Sequence, residues 1–117
     1  MIEVEIRAGA LELRHAPWTR PFVGRATTRV PLGAIREVRL VERPLAEARG
    51  LRRGLVVSGR LKLGVWTGWD RVKRLVCARR APGLRIVLDR RIAGVDELVF
   101  SVDAAGRLRA GIAGARA

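Results

Sequence analysis

Any catalysis or metal binding in this chain would have to draw on one histidine, one cysteine, a few serines and a modest set of carboxylates. His15 and Cys77 are the sole imidazole and thiol, whereas a Cys/His zinc set needs four such ligands converging. Zinc binding by a single chain is therefore not expected. His15 could act as base for Ser58 or Ser101 across the fold, but neither serine lies in the Gly-x-Ser-x-Gly elbow that exposes a nucleophile. We read His15 as a surface residue at a strand end. Gly59 and Gly64 have the spacing of a phosphate-cradling loop, yet Val65 and Trp66 follow where Lys and Ser/Thr are required. Glu3, Glu5 and Glu12 alternate with apolar residues, which places them on a solvated strand face rather than in an acid/base pair. These residues point away from an enzyme, and no cofactor or small-molecule substrate is expected.

Charge carries more information. The formal net charge is +13, and an excess of this size favours anionic partners: acidic protein surfaces, nucleic acid or acidic lipid headgroups. Of the 24 basic residues, 22 are Arg, a usage that a GC-rich coding sequence would also give. Residues 51–80 hold nine basic residues against the single acid Asp70, a local balance of +8, compared with +3 for 1–50 and +2 for 81–117. The same segment contains Trp66 and Trp69, separated by Thr67-Gly68 at an expected hairpin tip. If Leu61, Leu63 and Val65 face the core, Arg60, Lys62 and Trp66 project from the opposite face. Two arrangements fit these residues. The indoles stand among the arginines on a wet surface, or they cover the mouth of a barrel with Arg stacked on them. The candidate partner-binding set is Arg52, Arg53, Arg60, Lys62, Trp66, Trp69, Arg71, Lys73 and Arg74.

The elements that must position this set alternate with period 2. Ile2–Ile6, Leu11–Arg14, Arg60–Val65, Leu84–Asp89 and Glu97–Val102 read as half-buried antiparallel strands, the first two forming a hairpin around Gly9. Arg74–Ala78 ends at Ala81-Pro82-Gly83 and is expected to pair with the strand that follows it. Ile35–Val41 is expected to be a strand, with a turn or short helix beginning at Pro44. Asp103 is a candidate N-cap, and Ala104, Leu108 and Ile112 share one face of a helix over about 103–114. With 117 residues, 49% apolar and 30% charged, the chain suits one folded domain spanning 1–117. The longest stretch without a charge, Leu63–Trp69, is far shorter than the ~20 residues of a membrane-spanning helix. Early acids, the lack of an apolar leader and the single cysteine suggest a soluble, cytoplasmic protein.

Several strings resemble the short, largely uncharacterised bacterial proteins that carry a pleckstrin-homology-like (PH-like) domain. They are the opening hairpin Ile2–Arg14, the stretch Arg29–Val38, the turn from Pro44-Leu45-Ala46-Glu47 to Arg49-Gly50-Leu51-Arg52, the strand end Leu63–Trp66, and Leu98–Asp103 leading into the terminal helix. The resemblance implies a mainly β (α+β) fold: a partly open, seven-stranded antiparallel barrel with strands to about residue 102, capped by one C-terminal helix. It also implies a docking platform for phosphoinositides or peptides. The chain departs from phosphoinositide binders in the tight Ala8-Gly9 turn, where they carry a roomy basic loop. The expected function is therefore non-enzymatic docking of an acidic protein segment or a self-partner, as in a homodimer. Sequence-nonspecific nucleic-acid binding and peripheral binding to anionic membranes are the alternatives.

Overall fold

The computed structural model describes residues 1–116. Alternating apolar side chains fold into nine strands: β1 (Ile2–Arg7), β2 (Ala10–His15), β3 (Thr27–Pro31), β4 (Ile35–Val41), β5 (Leu51–Val57), β6 (Leu61–Thr67), β7 (Lys73–Arg79), β8 (Gly83–Leu88) and β9 (Glu97–Ser101). Three helices of one turn interrupt them, α1 (Arg20–Val23), α2 (Pro44–Glu47) and α3 (Arg90–Ala93), and α4 (Ala105–Arg116) ends the chain. The fold is mainly β with a C-terminal helix. Among the described residues, no helix is long and apolar enough to cross a membrane.

The strands form two sheets. One has the order β1-β2-β3, and the other β4-β8-β9-β7-β6-β5. This corrects the expected partly open, seven-stranded antiparallel barrel in two ways: there are nine strands among the described residues, and β7 runs parallel to β9. The expected pairing of Arg74–Ala78 with the next strand also fails, because β9 inserts between β7 and β8. Burial explains the insertion. Every residue of β9 is buried, with Leu98 and Phe100 in the main core and Val99 in a second cluster on the reverse face. A strand apolar on both faces belongs in the middle of a sheet. Ser101 secures the arrangement, the one proton of its hydroxyl shared between the carbonyls of Arg79 (3.0 Å) and Ala81 (2.9 Å) while its oxygen accepts from the Arg79 N–H (3.0 Å).

The main core lies between the sheets, where Leu11, Leu13 and Val30 meet Leu63, Leu75, Leu84, Ile86, Leu98 and Phe100. Ile112 and Leu108 of α4 pack against it. The helix begins later than expected. Ala104 is exposed with φ +53°, and Asp103, the expected N-cap, instead accepts from the Arg79 guanidinium at 3.1 Å. β4 and the turn of helix at Pro44 lie where the sequence places them. Glu3 and Glu5 pair with Arg14, and Glu12 with Arg29, as a charged outer face of the smaller sheet.

Candidate functional site

The histidine and the cysteine, far apart in sequence, meet in the interior. His15 closes β2 with its ring buried, Nε2 2.7 Å from the Thr28 hydroxyl and Nδ1 3.7 Å from Cys77 Sγ. The expected surface position is thus corrected: residues alternate inward along β2, so position 15 shares the core face of Leu11 and Leu13. A Cys–His pair suggests a thiolate nucleophile, but the electrostatics oppose it. Burial, aided by Arg25 and Arg20, pushes the imidazole down to about 4. Burial pushes the thiol up to about 12. Both groups are neutral near pH 7, so the pair is a packed polar contact joining the two sheets.

The nine candidate partner-binding residues separate into groups. Trp66 is only 3% exposed, packed with Ala48, Val76, Ala78 and Val99 beneath the α2 segment. It does point away from Leu63, as its parity requires, but that reverse face is covered rather than wet. Lys62 crosses the same face, its ammonium donating to the carbonyls of Leu45 (2.9 Å) and Ala48 (3.0 Å) and standing 6.0 Å from the Trp66 ring centre. Burial and nearby Arg49 lower its pKa. Arg74 bonds Glu97 at 3.0 Å and lies 3.4 Å from Asp70. Lys62, Trp66 and Arg74 are therefore structural, which removes them from the expected surface.

The other six remain available. Among the described residues, Arg52, Arg53, Arg60, Arg71 and Lys73 have no side-chain carboxylate within ion-pair distance. Trp69 is 93% exposed. Arg60 stands apart at the β5–β6 turn, at the opposite end of that hairpin from Trp69. Trp69 sits on a tight turn. Its frame is the Gly68 N–H to the Val72 carbonyl (3.1 Å), the Arg71 N–H to the Gly68 carbonyl (3.0 Å), and the Val72 N–H to the Asp70 carboxylate (3.0 Å).

The charge gathers where β5, β6 and β7 run past the edge of the core. Leu51 opposes Thr67, Arg53 opposes Val65 and Leu55 opposes Leu63, so Arg53 lies on the same face as core residue Leu63, but farther out. The segment around α1 faces that surface across an open groove of about 730 Å³. One side contributes Phe22 and Arg25, the other Arg52, Arg53, Val65 and Lys73, and no acidic residue lines it. Among the described residues, Arg25 has no carboxylate partner either. Sequence reading missed Arg25 and Phe22. The available signal was the composition of Pro17–Ala26, two aromatics and two arginines without an acid. Sequence comparison adds no relative: no family model, curated protein or solved structure matches the chain.

Proposed function

We propose that this chain is a non-enzymatic docking module that holds an acidic protein segment in the groove between α1 and β5–β7. One observation carries the reading: four cations, Arg25, Arg52, Arg53 and Lys73, line a single concavity that contains no carboxylate. Unpaired like charges repel one another and gain from an anionic occupant, while Phe22 and Val65 offer apolar contact beside them. Two facing sheets and a C-terminal helix packed on their core support a PH-like reading of the fold. The nine strands and the parallel β7–β9 pair depart from the expected pattern. We place the module in the cytoplasm, in keeping with its reduced, buried Cys77.

A second reading has its own support. Trp18, Leu51 and Trp69 are 54%, 74% and 93% exposed, the kind of side chain that enters the interface of an anionic membrane. The concave placement of the cations ranks a protein segment first, because a flat bilayer does not fill a groove.

Fluorescence anisotropy of a labelled Glu-rich peptide at ~0.1 M salt tests the proposal. The wild type should bind, and Arg25→Glu with Arg53→Glu should abolish binding. Arg107→Glu with Arg109→Glu, on α4, should change affinity less than threefold. Equal loss from both pairs would reduce the effect to net charge. Co-sedimentation with anionic vesicles without peptide binding would favour the membrane reading.

A further inference from the structure

The groove has a backbone edge along one side. β5 is the last strand of the six-stranded sheet, and no strand pairs with its outer side. In any such strand, alternate residues turn N–H and C=O groups outward. Among the described residues, the hydrogen bonds to the β5 backbone come from β6 and from the Arg60 N–H on the Val57 carbonyl. The stretch Leu51–Gly54 is exposed throughout.

From these observations, and resting on the docking reading above, we propose that the acidic segment is an extended peptide that adds to the sheet as a strand along β5. Charge selects this occupant. Arg52 and Arg53 sit on the edge itself, so a second copy of the chain pairing there would bring two Arg-Arg steps together, and like charges across a strand pair are destabilising. Nucleic acid would satisfy the arginines but not the backbone groups. A peptide with carboxylates at alternate positions satisfies both. Residues on its groove side share the face of Arg53, with Arg25 across the groove, and the intervening ones point to the opposite face. The partner therefore carries Glu or Asp at i, i+2 and i+4, with β-branched residues between.

Three labelled nine-residue peptides of alternating Glu and Val test the inference by anisotropy: an unmodified one, one N-methylated at the Glu amides and one N-methylated at the Val amides. For a bound strand running in one direction, alternation fixes which face each residue takes, so only one set of amides points at β5. Strand addition predicts a loss of at least tenfold for one methylated peptide and less than threefold for the other. Equal affinity for all three, or equal loss in both methylated forms, would overturn strand addition while leaving the acidic-docking reading intact, provided that Arg25→Glu with Arg53→Glu still abolishes binding. Failure of the unmodified peptide to bind where the Glu-rich peptide binds would overturn strand addition alone, and failure of both peptides would overturn both readings.

Discussion

The two edges of the six-stranded sheet are built differently. β4, at one end, is bulged between Ile35 and Glu37, and two of its arginines are engaged, Arg36 with Asp89 and Arg39 with Glu37. α4 lies against it, and Arg116 reaches the Arg36 carbonyl at 3.4 Å. Bulging, pairing of charges and cover are the ordinary means of blunting a strand edge. β5, at the other end, has neither a bulge nor paired charges, and apart from its partner β6 only the single turn of α1 contacts it among the described elements. Its arginines are unpaired, and its first four residues are exposed. The contrast separates edges closed by the fold from an edge left largely to charge, and charge repels copies of itself while remaining open to an anion.

The largest effect that would break this contrast is expected from unseating β5. Gly54 and Gly64 face each other across the β5–β6 pair, and a Cβ on Gly64, at φ +137°, would collide with the Arg53 carbonyl. Gly64→Ala combines backbone strain with displacement of the edge strand, and should cost about 4 kcal/mol. Urea denaturation measures the loss, and hydrogen exchange should show β5 amides opening before those of β4. A stable variant with unchanged β5 protection would show that the glycine pair does not hold the edge.

Acid should act on neither edge directly but on the contact between the two sheets, where His15 meets Thr28 and Cys77. The His15 pKa is lowered, to about 4 in the fold against 6.5, so the folded state favours the neutral ring. That contribution is complete above about pH 6.5, falls as pH drops through this window, and levels off near pH 4, for a loss of roughly 3 kcal/mol. His15→Gln, which keeps a polar atom for Thr28, should flatten stability between pH 7 and pH 4.5. A wild type equally stable at both pH values would contradict a buried neutral imidazole.

How far the sequence reveals this molecule depends on which interactions decide each part. Local alternation marks β1, β2 and β8, because one side of each meets the core and the other is more open, whereas the stretch that forms β4 has apolar residues at both strand and helix spacings. It cannot reveal that β9 enters between β7 and β8, which depends on non-local burial of both its faces. Likewise parity gives the face of Trp66 but not the α2 segment that covers it. For the candidate site, Arg52, Arg53 and Lys73 were legible as part of a basic segment. Arg25 was not, because it joins them only when α1 folds across the sheet. His15 misleads for a simpler reason: a polar residue at a strand end usually faces water, and here Thr28 and Cys77 receive it inside.

The smallest stability change distinguishes two arginines whose surroundings differ within one hairpin pair. Arg74, on the covered face, holds the nearly buried Glu97, which also contacts Arg85 at 3.1 Å. Arg74→Gln leaves that carboxylate with one cation in a poorly hydrated place and should cost about 2 kcal/mol, less than the loss for a wholly unpaired buried charge because Arg85 remains. Peptide binding in the groove should survive it. Arg53→Gln should do the reverse: an exposed side chain without an ion pair is worth no more than about 0.5 kcal/mol to folding, while its loss should weaken peptide affinity about tenfold. Urea midpoints and anisotropy on the two variants give a crossed result if the open edge is a docking edge. A parallel result, with Arg53→Gln as destabilising as Arg74→Gln, would place Arg53 among the residues that hold the sheet, and β5 would then be closed by the fold as β4 is.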